Sequence, residues 1–204
     1  MASQQVTITA KDGGSFGGYL ASPGSNRGPG IVVIQEIFGV NKVMRDIADG
    51  LASRGFYALV PDLFWRIKPG IELTDQSEAE WKEAFGLFQK FDVDKGVDDV
   101  QAAISFLRGR KGVNGKVGTL GYCLGGRLAY LSATRTDSDA AAGYYGIGIE
   151  NLLDEASRIK KPLILHIAEG DDYVPPPAQE LIKDKLKSNP HATVHSYPNV
   201  GHAF

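Results

Sequence analysis

Apolar positions along the chain follow two spacings. Val6-Thr7-Ile8-Thr9-Ala10 alternates with period two, and residues 16–21 repeat the alternation after the Asp12-Gly13-Gly14 turn, which predicts an antiparallel hairpin. Residues 30–35, 57–60 and 162–168 are continuous apolar runs, the pattern of strands buried on both faces of a parallel sheet. Residues 116–120, 140–146 and 192–197 complete the expected strands. Helical spacing fills the intervals. Val43, Ile47 and Leu51 mark a helix over 43–53 that Gly55 stops, and Trp81, Phe85 and Phe88 mark a less regular one over 75–91. Val97, Val100, Ile104 and Leu107 mark a third over 95–107; a small-residue helix follows Gly126, and another spans 177–187. Residues 22–29 and 109–115 read as loop and turn, and 63–70 as irregular. Strand and helix alternate, so the expected architecture is α/β: a mostly parallel sheet with helices on both faces, right-handed crossovers and an N-terminal antiparallel hairpin. No repeat or linker interrupts it, so one domain over 1–204 is expected.

One stretch organises the rest. Thr119-Leu120-Gly121-Tyr122-Cys123-Leu124-Gly125-Gly126 joins a strand to a helix through Gly-x-Cys-x-Gly, the nucleophile-elbow pattern with sulfur where serine is usual. The sharp turn strains the nucleophile's backbone, and Gly121 and Gly125 suit it because a side chain there would strike the neighbouring strand or helix. A buried cysteine is also a common small hydrophobe. Context separates the two readings, since Cys123 is the single cysteine of 204 residues and therefore joins neither an internal disulfide nor a Cys-rich zinc site.

Composition adds exclusions. The chain is 43% hydrophobic and 23% charged with net charge −2, which offers no electrostatic basis for binding nucleic acid or an anionic membrane. No apolar run is long enough to span a bilayer, and the N-terminal residues lack a basic segment followed by an apolar one. With one free thiol, the expected location is the reducing cytoplasm.

In a sheet of this kind, sites lie beyond the carboxyl ends of the strands. Glu36, Cys123, Asp171 and His202 all follow expected strands. Cys123 is the candidate nucleophile, His202 its base and Asp171 the acid orienting the imidazole, in the chain order of this type of triad. Asp172 competes with Asp171, the bland alternative being that both punctuate a turn. His166 lies within a strand run, and His191 and His195 before and within the last strand; all three read as structural or solvated. The backbone N–H groups of Leu124 and Ile37 are the candidate oxyanion donors. Glu36 repels a neighbouring thiolate, so the thiol rests neutral and is less exposed to oxidation. A carboxylate displaced toward sulfur could then take the proton on demand. The dull reading of Glu36 is a surface acid that caps something.

Ile34-Gln35-Glu36-Ile37-Phe38-Gly39, Arg54-Gly55-Phe56 through Pro61-Asp62-Leu63, Gly121-Tyr122-Cys123-Leu124-Gly125-Gly126, Gly143-Tyr144-Tyr145-Gly146, Asp171-Asp172-Tyr173-Val174-Pro175 and Gly201-His202-Ala203-Phe204 resemble the dienelactone hydrolase family, a branch of the α/β-hydrolase fold, over nearly the whole chain. The resemblance implies a Cys123–His202–Asp171 triad gated by Glu36, opening a small lactone or ester through an acyl-enzyme, as in conversion of carboxymethylenebutenolide to maleylacetate in aromatic-compound degradation. The resemblance implies no metal or organic cofactor, and Phe38, Trp81 and Tyr145 are the candidate substrate contacts. Dienelactone-specific members hold the substrate carboxylate with arginines. Trp81 occupies the segment expected to supply one, the second would lie just past Phe204, and Arg66 or Arg127 are the candidate replacements. The fold normally closes with a helix beside the sheet, so further residues after Phe204 are expected. Competing readings are a broader carboxylesterase or thioesterase, a non-catalytic small-molecule binder on the same fold, and a redox sensor. The sensor reading lacks a resolving cysteine. The sequence leaves oligomeric state open, with a monomer plausible.

Overall fold

The structure is a computed structural model describing residues 2–25 and 27–204; Met1, and Asn26 within the expected loop 22–29, lie outside it. Strands β1 (Ala2–Thr9), β2 (Ser15–Ser22), β3 (Gly28–Ile34), β4 (Tyr57–Pro61), β5 (Val113–Tyr122), β6 (Ala141–Tyr144), β7 (Leu163–Ala168) and β8 (Ala192–Tyr197) form one sheet in the order β1-β2-β4-β3-β5-β6-β7-β8. The hairpin β1–β2 and the β2–β4 pair are antiparallel, and every pairing from β4 through β8 is parallel. The central strands are parallel because helices return the chain to the same end each time.

Helices α1 (Lys42–Ser53), α2 (Glu78–Lys90), α3 (Val93–Arg108), α4 (Leu124–Arg135) and α5 (Pro176–Leu186) fill the intervals. Met44, Ala48 and Ala52 of α1 pack on Val33, Ala58 and Val60 from one face of the sheet. On the other face, α3, α4 and α5 contribute Val100, Ile104, Leu107, Leu128, Leu131, Ile182 and Leu186 to a larger core. Helices therefore flank both faces, unequally. On the face away from that larger core, Ile31, Leu120, Ala142 and Ile164 line an open groove of about 430 Å³, with Ile164 39% exposed. No helix among the described residues is long and apolar enough to cross a membrane.

The element boundaries differ from the periodicity in instructive ways. Helix α2 begins at Glu78 rather than at 75, because Ser77 caps it: its Oγ accepts from the Glu80 backbone N–H at 3.3 Å and donates to the Glu80 carboxylate at 2.9 Å. Helix α3 begins two residues before its expected start, where the Asp92 carboxylate accepts from Lys95 N–H at 3.1 Å. The expected turn over 109–115 ends early, and β5 starts at Val113. A 3₁₀ helix at Ile149–Arg158 has no counterpart among the expected elements; its tighter repeat does not register at the α-helical period.

The irregular segment after β4 is pinned from beneath. Fully buried Asp99 accepts from Trp65 Nε1 at 2.8 Å, Arg66 Nε at 2.9 Å and Arg66 Nη2 at 2.8 Å. Gln35, also buried, accepts from the Leu63 backbone N–H at 3.0 Å and donates to the Glu36 carbonyl at 3.3 Å, tying the end of β3 to the same segment.

Candidate active site

The corner between β5 and α4 holds Cys123 at φ 54° and ψ −113°, a region that side-chain-bearing residues rarely occupy. Its N–H donates to the Tyr144 carbonyl at 3.1 Å, and its carbonyl accepts from Arg127 N–H at 3.2 Å to open α4. The neighbours must be glycine. A Cβ on Gly121 would overlap the Gly125 carbonyl oxygen, and one on Gly125 would overlap the Ile34 carbonyl oxygen. The elbow thus depends on α4 pressing directly on β3 and β5, which leaves the cysteine only 5% exposed.

A cavity of about 500 Å³ opens above that sulfur, with Glu36, Ile37, Cys123, Tyr145 and His202 at its base. Four separate segments supply them. Glu36 and Ile37 follow β3, Cys123 ends β5, Tyr145 follows β6, and His202 comes from the segment after β8. Tyr145 holds φ 39°, and its N–H donates to the His166 carbonyl at 2.9 Å, so the ring turns toward Glu36 and His202. The Tyr145 hydroxyl lies near the Glu36 carboxylate, and its ring lies edge-on to His202 at 4.9 Å. Glu36 is half-buried in the cavity lining near Tyr145, not a solvated surface acid.

His202 is fixed from behind. Its Nδ1 lies 2.8 Å from Asp171 Oδ2, and the other Asp171 oxygen accepts from Tyr173 N–H at 2.8 Å. Asp171 is 3% exposed, whereas Asp172 faces solvent, so the structure joins Asp171 to the imidazole. The two loops carrying this pair are stitched together: Glu169 N–H donates to the Tyr197 carbonyl and Gly170 N–H to the Val200 carbonyl, both at 3.0 Å. Buried Gln179 on α5 completes the brace, its Nε2 donating to the carbonyls of Val174 at 2.7 Å, Ala168 at 3.1 Å and Glu169 at 3.3 Å. Gln179 belongs to no sequence motif, and Tyr173, whose ring also meets His202 edge-on at 4.9 Å, stands in the Asp171–Pro175 motif without an expected role. A glutamine on a helix face carries no motif, and its role exists only once α5 lies under the loop.

The electrostatics favour a neutral thiol. Burial, chiefly, and then the Glu36 carboxylate push the Cys123 thiol up to about 12, with a smaller rise from Asp171; the nearby Leu124 N–H opposes them. The N-terminus of α4 also favours a thiolate, but desolvation and two like charges outweigh it. Burial is likewise the main reason that the Glu36 pKa is raised, with His202 and the Tyr145 hydroxyl pulling the other way.

Phe38, Trp81 and Tyr145, the expected substrate contacts, all line the cavity. The two arginines considered as carboxylate binders do not. Arg66 is committed to Asp99 and Asp12 and stacks on Trp65 with its Cζ 4.2 Å from the ring centre. Arg127 is half-buried beside Gly148 and Glu150. Sequence separation gave no means of seeing that Asp99 on α3 claims the Arg66 guanidinium or that Arg127 is turned toward the 3₁₀ segment. The other histidines lie outside the cavity lining: His166 Nδ1 meets Tyr197 Oη at 2.8 Å, and its ring stacks between Tyr144 and His195.

Residues 16–204 match the dienelactone hydrolase family. A carboxymethylenebutenolidase of Pseudomonas putida is 42% identical over 204 residues, covering 100% of this chain and 86% of its own. A provisionally named carboxymethylenebutenolidase of Azospirillum brasilense is 47% identical over 98% of this chain and 86% of its own. Among solved structures, a provisionally named dienelactone hydrolase from Klebsiella pneumoniae superposes with a TM-score of 0.86 at 28% identity, over 100% of this chain and 88% of that one. On a sheet and elbow of this form, that agreement makes the chain a member of the dienelactone hydrolase family, an α/β-hydrolase acting on carboxylic ester bonds.

Proposed function

We propose that this protein hydrolyses small lactones or esters through a thioester on Cys123, with His202 and Asp171 as base and orienting acid and Glu36 as gate. The observation that carries the reading is the single cavity in which Glu36, Cys123 and His202 meet, with Asp171 bound to the far side of the imidazole. At rest the thiol is protonated. Substrate entering the cavity displaces the Glu36 carboxylate from Tyr145 toward sulfur, where it accepts the thiol proton. The thiolate attacks the carbonyl carbon, and the N–H groups of Leu124 and Ile37 receive the oxyanion. Collapse breaks the C–O bond, and the leaving oxygen takes the proton from Glu36; in a lactone it stays tethered to the acyl group.

Deacylation uses the other pair. With its Nδ1 proton donated to Asp171, His202 presents a free Nε2 that removes a proton from water as the oxygen attacks the thioester. Asp171 stabilises the imidazolium. The second tetrahedral intermediate expels the thiolate, which recovers its proton from His202. Phe38, Trp81 and Tyr145 form the substrate-facing wall. Enol-lactone opening of the kind in the relatives' names fits this chemistry, because the released enolate is a good leaving group.

The test is intact-mass detection of an acyl adduct on Cys123 during turnover of 4-nitrophenyl acetate and of dienelactone, with Cys123→Ala and His202→Gln proteins. The expected results are a burst of one acyl group per chain, no turnover by Cys123→Ala, and a loss of about 10²–10⁴ in His202→Gln. Full turnover by Cys123→Ala ends the reading. Ester binding without any adduct favours the non-catalytic binder instead.

A further inference from the structure

Gln35 has no solvent exposure and does not line the cavity, so it touches neither substrate nor sulfur. Its amide is bonded on both sides. Oε1 accepts from Leu63 N–H at 3.0 Å, and Nε2 donates to the Glu36 carbonyl at 3.3 Å. The Leu63 N–H can only donate, which fixes the amide's orientation: the oxygen faces Leu63 and the NH₂ group faces Glu36.

The Glu36 carbonyl belongs to the Glu36–Ile37 peptide, the unit that also carries the Ile37 N–H. In a planar trans peptide the C=O and N–H point in opposite directions. Turning the Glu36 oxygen toward Gln35 therefore turns the Ile37 N–H away from Gln35. Glu36 and Ile37 line the cavity and Gln35 does not, so the N–H is held on the cavity side. Ile37 is 6% exposed, and among the described residues its N–H donates to no protein group, as a donor kept for a ligand oxygen must.

This peptide links two anchored stretches. Before it, Ile34 pairs with Gly121 of β5; after it, the Phe38 carbonyl accepts from Leu73 N–H at 2.9 Å and Val40 N–H donates to the Ile71 carbonyl at 3.0 Å. Between them, the Gln35 amide is the one donor to the Glu36 carbonyl among the described residues. The other candidate oxyanion donor is set against the same residue, since a Cβ on Gly125, next to Leu124, would lie 2.7 Å from the Gln35 carbonyl oxygen. Gln35 thus meets both halves of the oxyanion hole, one through its side chain and one through its backbone.

We infer that Gln35 is a positioning residue for the hydrolytic reaction: its side-chain amide holds the Glu36–Ile37 peptide in the orientation that presents the Ile37 N–H to the oxyanion. This deepens, and rests on, the reading of Cys123 as nucleophile with Ile37 as an oxyanion donor.

The experiment compares the parent with Gln35→Met, which keeps the length of the side chain and loses its hydrogen bonds. Three readouts are taken on folded protein: kcat/KM for 4-nitrophenyl acetate, inhibition by 2,2,2-trifluoroacetophenone, and binding of the intact ester in a Cys123→Ala background. The ketone reports on the hole directly, because the thiol adds across its C=O bond, leaving sulfur on carbon and an oxyanion where the carbonyl was. In Gln35→Met, kcat/KM should fall by about 10–10², with a matching rise in the ketone's inhibition constant. Ester binding should stay within about twofold, because the ground-state carbonyl gains little from the hole. Parent-like ketone inhibition, or an equal loss in ester binding, overturns the inference. Gln35→Glu decides the matter should Gln35→Met not fold. It keeps an acceptor for Leu63 N–H; its neutral carboxyl donates to the Glu36 carbonyl, and its carboxylate repels it. Its kcat/KM relative to the parent should therefore fall as pH rises through the introduced group's pKa, which burial raises. Cys123 alkylation rates on the same protein correct for any change in the thiol. A ratio that stays flat from pH 6 to 9 overturns the inference. A parent that forms neither acyl-enzyme nor ketone adduct fails the hydrolytic reading itself, and the role of Gln35 falls with it.

Discussion

Alkylation of the resting thiol tests the electrostatics of the elbow directly. Burial and the Glu36 carboxylate lift Cys123 from 9.0 to about 12. At pH 7.5 the thiolate is then about 10³-fold scarcer than for an unshifted thiol. A more basic thiolate is intrinsically more nucleophilic, with a Brønsted slope of about 0.4–0.5, which returns a factor of about 20. The net expectation is alkylation about 50-fold slower than that of an unshifted cysteine, before steric shielding. Because shielding lowers the rate equally at every pH, the shape of the profile is more diagnostic than its height. Pseudo-first-order iodoacetamide rates, read by intact mass, should rise tenfold per pH unit from 7 to beyond 10 without a plateau. Glu36→Gln removes the second-largest cause. A partly screened neighbouring charge is worth on the order of 1–2 kcal/mol, or about one pKa unit, so after the same Brønsted offset the variant should react about threefold faster at pH 8. A plateau below pH 8.5, or a Glu36→Gln protein that reacts no faster than its parent, would refute the neutral-thiol argument.

Glu36 also leaves a signature in stability. Its folded pKa is raised by burial, so the folded state holds the proton more tightly, and stability falls as pH rises above the unfolded value of 4.5. Glu36→Gln should therefore melt higher than the parent at pH 7, with the gap closing below pH 4; a lower midpoint at pH 7 would contradict the burial argument. Asp99→Ala strips the buried partner from Arg66 and Trp65 and should cost about 3 kcal/mol in chemical denaturation, with kcat of the folded fraction unchanged. Gly125→Ala drives a methyl into the Ile34 carbonyl oxygen and should abolish folding or lower the melting temperature sharply; a midpoint within ~2 °C of the parent would show that α4 can lift off β3 at little cost.

Local pattern carried most of the fold. Continuous apolar runs marked β3, β4 and β7, period two marked the β1–β2 hairpin, and 3.6-residue spacing marked α1 and α3, because each backbone geometry imposes its own repeat on the residues facing the core. Boundaries were less legible wherever a single cap decided them, as Ser77 and Asp92 did for α2 and α3. The elbow could be read for the same local reason: the glycines of Gly121-Tyr122-Cys123-Leu124-Gly125 answer to steric contacts within one strand–helix corner.

What the sequence determined by itself, then, is the series of strands, the Gly-x-Cys-x-Gly corner and the short set of acids and imidazoles able to serve it. Tertiary structure decided which of them meet. The order β4-β3-β5-β6-β7-β8 sets Glu36 and His202 at one cavity with Cys123 and turns His166 into a tyrosine–histidine stack. It also spends Arg66 on Asp99, sets Gln179 beneath the Asp171 loop and gives the cavity an aromatic wall flanked by Glu36 and Asp75. Most of these contacts join residues several elements apart in the chain, and even the Gln179 brace, which spans 5–11 positions, runs from a helix back to the preceding loop, where periodicity holds no information. Packing of whole elements fixes them, since each polar side chain taken from water must find its partner in whatever the neighbouring strand or helix presents.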